Sequence, residues 1–102
     1  MLCDVAVGEE HRLVKPKVLN RAPKPNHSVV GIGKYAPANY EEMDGSRLYI
    51  GEPIENKLIL NSLQCNESSF MYNEYVVYDV GQVRMAYLVL CDIDYYQVNN
   101  TD

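Results

Sequence analysis

A single carboxylate, Glu74, interrupts an otherwise aromatic and aliphatic stretch of the sequence, and it is the residue best placed to do chemistry. The stretch covers residues 70–80, whose tyrosines and valines are typical of β-strands. If it is extended, Glu74 shares a face with Tyr72 and Val76, because alternate side chains of a strand point the same way. An ionised carboxylate in such a row is costly to bury unless it is paired, hydrogen-bonded or at the wall of a cleft. Glu74 is therefore the candidate catalytic residue.

The residues alone leave two interpretations of Glu74 open. The carboxylate could accept hydrogen bonds from the backbone or pair with Arg84 or Lys34 at a sheet edge, which is a structural role. It could instead be catalytic, because carboxylates in unusual surroundings cluster at active sites. One carboxylate is not a mechanism, since a substrate must also be bound and oriented, and the pattern identifies no further residues for that task.

Other chemical motifs are weak. The sequence contains no GxSxG, HExxH or CxxC motif. Its three cysteines, Cys3, Cys65 and Cys91, are odd in number and widely spaced, which indicates a reducing compartment and neither a disulfide framework nor a zinc site. The spacing of His11 and His27 does not fit a metal site either. We predict no bound metal.

Two glycines before a lysine, Gly31 and Gly33 ahead of Lys34, invite comparison with a phosphate-binding loop. The longer spacing, the hydroxyl residue after the lysine and the following helix of that motif are all missing. We favour the alternative that these glycines allow a tight bend or a close approach of two backbone segments.

The composition predicts one small soluble domain. The chain has 102 residues, of which 47% are hydrophobic and 23% charged, which is typical of a folded protein. A net charge of −5 argues against a surface that neutralises nucleic-acid phosphates, and the upstream lysines and arginines are interrupted by prolines as in a solvated loop. There is no signal peptide and no apolar run near the ~20 residues that span a bilayer. We expect no direct nucleic-acid binding, no membrane contact and an intracellular location.

Short apolar runs between turn-rich segments predict a mainly β chain without a helix of convincing length. Residues 83–90 are apolar on both faces apart from Arg84, so this strand is expected to be covered on both sides, with a bulge or bend at Gly81 before it. Residues 57–60 could be an edge strand or a docking segment. The predicted strands are residues 1–7, 28–34, 47–50, 70–80 and 83–90, and the predicted loops are residues 8–27, 35–45 and 61–69.

Residues 72–80, Tyr-Asn-Glu-Tyr-Val-Val-Tyr-Asp-Val, with Gln-Val at 82–83 and Tyr-Leu at 87–88, resemble the C-terminal end of a poly(ADP-ribose) polymerase catalytic domain. The resemblance extends to residues 26–34 and 4–8 in the same order, so it covers most of residues 2–91. Residues 51–69 and the tail match poorly.

The resemblance implies an α+β parent fold of the ADP-ribosyltransferase type, of which this chain is a mainly β part with antiparallel strands. It also implies transfer of ADP-ribose from NAD to proteins or ADP-ribose chains, with release of nicotinamide. Glu74 matches the family's catalytic glutamate, which would hydrogen-bond a ribose hydroxyl of NAD and orient or deprotonate an acceptor hydroxyl. A role in DNA repair and a nuclear or cytoplasmic location, with the nucleus favoured, follow from the same resemblance.

The sequence departs from the family in its donor site. The family's histidine-glycine pair and stacking tyrosine lie upstream of the strand that begins here at residue 1, so His11, His27 and Tyr35 come too late to replace them. We therefore expect residues 1–94 to be the C-terminal portion of a domain truncated at its N-terminal side, marginally stable and inactive alone, with residues 95–102 a flexible tail. Its partner could be the missing N-terminal half of the domain. The alternatives are an incomplete gene product and a non-catalytic β module that pairs with or regulates a full-length transferase.

Overall fold

The computed structural model describes residues 1–91 and confirms a mainly β architecture. Eight strands, one α-helix and one turn of 3₁₀-helix at Val80–Gln82 lie in this part of the chain. The strands are β1 Leu2–Val5, β2 Glu10–Leu13, β3 Ser28–Gly31, β4 Gly33–Met43, β5 Ser46–Glu55, β6 Phe70–Tyr72, β7 Glu74–Val77 and β8 Val83–Tyr87, and the helix is α1 Lys57–Ser62.

The strands form three small sheets, each with exposed edges. β1 pairs with β8, β3 lies between β2 and β7, and β4 lies between β5 and β6. The pairs β1–β8, β3–β7 and β4–β5 are antiparallel, as the sequence predicted, whereas β2–β3 and β4–β6 are parallel. Chain neighbours β3 and β4 belong to different sheets, and so do β6 and β7.

A long hairpin, β4–β5, occupies the segment predicted as a loop at residues 35–45, so that prediction was wrong. The predicted turn is confirmed, since Asp44 and Gly45 both have positive φ, 52° and 83°, as in the type I′ turns that suit hairpins. The loop prediction depends on Pro37, because proline usually marks a turn or the end of a strand. Pro37 lies opposite Pro53 beside an irregularity in the pairing, where a missing N–H is tolerated.

Three further predictions need correction. Residues 57–60 belong to helix α1, which buries Leu60, and form no strand. Strand β2 lies within the predicted loop of residues 8–27 and extends the sheet of β3. Residues 70–80, predicted as one strand, contain two strands. β6 ends at Tyr72 and β7 begins at Glu74, with Asn73 between them.

The hydrophobic core is small. Val30, Ile32 and Leu60 are buried together, with Ile59 and Leu63 of the helical segment packed against them. The radius of gyration is 16.3 Å, against about 13 Å for a compact domain of this length. All five residues of β8 are exposed, so the described residues do not cover this strand as predicted. The buried core of the described residues is therefore small, and large apolar side chains on several strands remain exposed.

The predicted tail at residues 95–102 lies outside the described residues, and the predicted domain boundary at residue 94 stays a prediction. Within residues 1–91, no helix has the length and apolar character needed to cross a membrane.

Candidate active site

Glu74 is the first residue of β7 and lies opposite Gly31 of β3. Its side chain is exposed and does not carry the cost of burying a charge in an apolar row. The ion pairs that were considered for it are not formed. Arg84 pairs with Asp4, and the Lys34 ammonium lies 5.9 Å from the centre of the Tyr35 ring. The carboxylate of Glu74 is thus presented to solvent at the beginning of a strand.

Gly31, the cross-strand neighbour of Glu74, allows an aromatic ring to lie against the backbone. A Cβ at Gly31 would fall 2.7 Å from the Phe70 ring, which is closer than real Cβ atoms approach other atoms. Any larger residue at this position would push Phe70 away. The packing of the β6 residue Phe70 against Gly31, the residue paired with Glu74, therefore depends on a glycine.

Asn73, which immediately precedes Glu74, is held by two residues from distant parts of the chain. Its Oδ1 accepts a hydrogen bond from the Gly33 backbone N–H at 2.8 Å and one from Asn56 Nδ2 at 3.5 Å. Asn56 Nδ2 also lies 3.3 Å from the Gly33 carbonyl oxygen, to which it donates. We call these three residues the Asn56–Gly33–Asn73 network. It joins the end of β5, the beginning of β4 and the junction between β6 and β7.

Gly33 confirms the close-approach interpretation of the two glycines. A Cβ there would fall 2.6 Å from the Asn73 backbone nitrogen and closer still to backbone atoms of Tyr72. The amides in this segment are already used, because Ile32 N–H donates to the Leu13 carbonyl oxygen at 2.8 Å and Gly33 N–H donates to Asn73. Neither amide is free to cradle a phosphate.

The residues on either side of Glu74 line a cleft, whereas Glu74 does not. Asn73 and Tyr75 form part of its wall, and its volume is about 550 Å³. Burial raises the pKa of the Tyr75 hydroxyl above its ordinary value, and the negative charge of Glu10 raises it further. The other lining residues are Ala36, Pro37, Tyr49, Pro53, Asn56, Ile59 and Tyr72.

Three other clefts, of about 300, 520 and 600 Å³, lie elsewhere along residues 1–91, and Glu74 lines none of the four. The structure therefore brings the candidate carboxylate to an open surface. Residues 1–91 fix the position of Glu74, and none of these four clefts encloses its carboxylate.

The remaining candidates from the sequence do not join Glu74 in one site. His27 Nδ1 accepts a hydrogen bond from the Glu9 backbone N–H at 3.0 Å, which is a structural contact in a loop. His11 lines a separate, open cleft with Arg12. In the described part of the chain, no cluster of three or more histidine, cysteine or acidic side chains has the arrangement of a metal site.

Comparison with known proteins gives this arrangement its context. Residues 1–93 match the family model of the poly(ADP-ribose) polymerase catalytic domain. The chain belongs to this family. It is therefore an ADP-ribosyltransferase-family sequence, and the resemblance found in the strand around Glu74 is confirmed.

Curated relatives in this family cover nearly the whole chain. Poly [ADP-ribose] polymerase 1 of Arabidopsis thaliana is 36% identical over 92 residues, which are 87% of this chain and 9% of the relative. The protein of the same name from Xenopus laevis is 33% identical over 97 residues, 93% of this chain and 9% of the relative. Poly [ADP-ribose] polymerase 2 of Arabidopsis thaliana is 31% identical over 99 residues and is covered to 14% of its length. The chain thus spans about a tenth of these relatives.

Sequence reasoning missed Asn73 and Asn56 as residues of this site. Asn73 gave a usable signal, since it is a polar, weakly strand-forming residue within an otherwise strand-like run. The sequence signal of Asn56 was misleading. Asparagine before a helix usually caps it, but the Asn56 side chain makes no cap hydrogen bond to α1 and donates to Gly33 and Asn73 instead.

Proposed function

We propose that residues 1–91 form part of an NAD-dependent ADP-ribosyltransferase site in which Glu74 is the catalytic carboxylate. The observation that carries the proposal is its position. Glu74 lies within the matched catalytic domain, at the beginning of a strand, with an exposed side chain and no ion-pair partner among residues 1–91. A carboxylate so placed is available to a substrate.

In the proposed reaction the bond between the nicotinamide nitrogen and the anomeric carbon of its ribose breaks, and positive charge develops on the ribose. The Glu74 carboxylate accepts a hydrogen bond from a ribose hydroxyl and stabilises that charge. It then accepts or orients the proton of an acceptor hydroxyl as the new bond to the anomeric carbon forms. The acceptors proposed are protein side chains or ADP-ribose chains.

NAD fits the described residues in part. The exposed carboxylate suits a ribose hydroxyl, while no described cleft encloses the space in front of it. The proposed donor site therefore uses Glu74 together with groups that residues 1–91 do not place beside it. For the same reason we propose that the 102-residue chain by itself does not turn over NAD.

The first test measures transfer from labelled NAD by the 102-residue chain alone, which should be undetectable. Glu74-dependent labelling of any acceptor would overturn the proposal of inactivity.

The second test asks whether Glu74 is catalytic. Residues 1–91 replace the matching segment of the Arabidopsis thaliana poly [ADP-ribose] polymerase 1, and the resulting chimera should transfer ADP-ribose. Glu74→Gln in the chimera should lower kcat at least about 100-fold, because an electrostatic contact at the reacting centre is lost. Glu52→Gln, an exposed position on the β4–β5 hairpin, should leave kcat unchanged. A folded chimera in which the two variants have equal rates would refute a catalytic role for Glu74.

A second candidate function is favoured by the open strands. β8 is exposed along its length, and the β1–β8 sheet has no further strand in the described part of the chain. Such edges can add a strand from another protein, so the chain could act as a non-catalytic module that binds a full-length transferase. Size-exclusion chromatography of the chain with a full-length relative tests this. Co-elution would support it, and two separate monomeric peaks would reject it.

The cellular setting follows from the family alone. We propose a nuclear site of action and a role in DNA repair, and fluorescence microscopy of the tagged chain tests the location.

A further inference from the structure

Asn73 lies where the chain leaves one sheet and enters another. β6 ends at Tyr72 and is paired with β4, whereas β7 begins at Glu74 and is paired with β3. Glu74 is the terminal residue of the β3–β7 ladder, opposite Gly31, so strand pairing holds it from the C-terminal side. Its N-terminal side is held through Asn73, which lies between the two strands.

Gly33 lies at the matching junction on the facing segment. β3 ends at Gly31 and β4 begins at Gly33, so this segment also changes sheets. The 2.8 Å hydrogen bond from Gly33 N–H to Asn73 Oδ1 joins the two junctions directly. The absence of a side chain at Gly33 is what allows the backbone of Asn73 to come this close.

Asn56 adds a third junction, between the end of β5 at Glu55 and the beginning of α1 at Lys57. Its backbone N–H donates to the Lys34 carbonyl oxygen at 2.9 Å, which fixes its place beside Gly33. Its side-chain amide is then directed at the Gly33 carbonyl oxygen and Asn73 Oδ1. This orients the Asn73 amide so that its oxygen faces both donors.

We propose that Asn73, held by Gly33 and Asn56, is the positioning residue of Glu74. Its role is to set the direction in which the first residue of β7 leaves the sheet junction, and it makes no contact with substrate. The inference rests on the proposed function, because an oriented carboxylate matters to catalysis only if Glu74 is catalytic. Small displacements of a reacting group cost rate steeply, so a contact that holds the N-terminal side of Glu74, at the end of its ladder, matters to the reaction.

Isosteric substitutions separate this role from simple packing. Asn73→Asp keeps an oxygen that accepts from Gly33 and Asn56, whereas Asn73→Leu removes it at similar volume. Asn56→Asp removes the donor and places an acceptor against two other acceptors, the Gly33 carbonyl oxygen and Asn73 Oδ1. Asn73→Asp and Asn56→Asp each add one negative charge, so they serve as controls for each other.

The experiment uses the 102-residue chain in solution, without NAD, and NMR spectroscopy. In the wild type, scalar coupling across the hydrogen bond between Gly33 ¹⁵N and Asn73 ¹³Cγ should be observed. It should persist in Asn73→Asp and vanish in Asn56→Asp, with Gly33 amide exchange in the latter about 3- to 10-fold faster. The Glu74 backbone signals should shift in Asn56→Asp and Asn73→Leu and return towards the wild-type positions in Asn73→Asp.

Three results would overturn the proposal. These are an absent coupling in the folded wild type, Glu74 signals that do not move in Asn56→Asp, and an Asn73→Asp variant that matches Asn73→Leu. If Asn73→Leu does not fold, Asn56→Asp decides alone, since Asn56 is half-buried and the change is isosteric. Because these measurements need no NAD, a chain that passes them while the Glu74→Gln chimera stays fully active rejects the catalytic role and retains the positioning.

Discussion

Replacing Gly33 with alanine tests how tightly the junction beside Glu74 is packed. The added Cβ would lie within 3 Å of backbone atoms of Tyr72 and Asn73, which cannot swing aside as a flexible side chain would. Overpacking of this kind costs about 1–3 kcal/mol. Displacement of Asn73 also weakens its hydrogen bond with Gly33 N–H, a loss of about 0.5–1.5 kcal/mol.

The unfolded state offsets part of this cost, since alanine restricts the unfolded chain and stabilises by about 0.4–1 kcal/mol. The expected net loss in the free energy of unfolding for Gly33→Ala is about 2 kcal/mol, from the sum of these three effects. For a domain of this size, that lowers Tm by roughly 8–16 °C.

Gly81→Ala is the matched control. A Cβ at Gly81 would meet nothing closer than Asp79 Oδ1 at 3.4 Å, an ordinary contact. The entropic gain is common to both variants, so their difference isolates the packing and hydrogen-bond losses at Gly33, about 1.5–4.5 kcal/mol. Gly31→Ala should fall between them, because the Phe70 ring that it meets is a side chain and can rotate.

Urea unfolding followed by circular dichroism measures all three variants. A Gly33→Ala variant within about 0.5 kcal/mol of Gly81→Ala would refute the close approach on which the Asn56–Gly33–Asn73 network depends.

Two further predictions concern other contacts. Hydrogen bonding to Arg84 lowers the pKa of Asp4, so the pair stabilises the fold above about pH 4 and this contribution is lost as the pH falls further. Thermal melts between pH 2 and 6 at low salt should therefore show a smaller acid decline for Asp4→Asn than for the wild type, and parallel curves would contradict the ion pair. At the hairpin turn, Asp44→Ala should cost about 1–2 kcal/mol, because alanine tolerates positive φ poorly. Asp44→Asn should be nearly neutral in the same urea titration, since asparagine accepts that conformation and keeps an acceptor for the Tyr87 hydroxyl; equal losses for both variants would contradict this account.

Features that depend on local residue preferences could be predicted from the sequence, and features that depend on tertiary packing could not. The position of Glu74 within a strand, the Asp44-Gly45 turn and the close-approach glycines could all be predicted, because each depends on local residue preferences. The exposure of Glu74 could not. It follows from which segments cover β7, and that is a property of the tertiary arrangement.

The errors in secondary structure have similar causes. Helix α1 has six residues, too few for a periodicity of 3.6 to be distinguished from a short apolar strand. The division of residues 70–80 at Asn73 is set by pairing with two different partners, β4 and β3, which have no local sequence signal. A proline within an apolar run usually indicates a strand break, but Pro37 occupies an irregular position in a paired strand.

The pairing of β1 with β8 has a consequence for biosynthesis. Leu2 lies opposite Tyr87, so β1 leaves the ribosome well before the strand with which it pairs. At about 5–20 residues per second, Tyr87 is made roughly 4–17 s after Leu2. During that time β1 has no native strand partner, and its apolar residues are open to chaperones or to strands of other nascent chains. The β3–β4–β5 region, whose hairpin is local in sequence, is free to form well before the β1–β8 sheet.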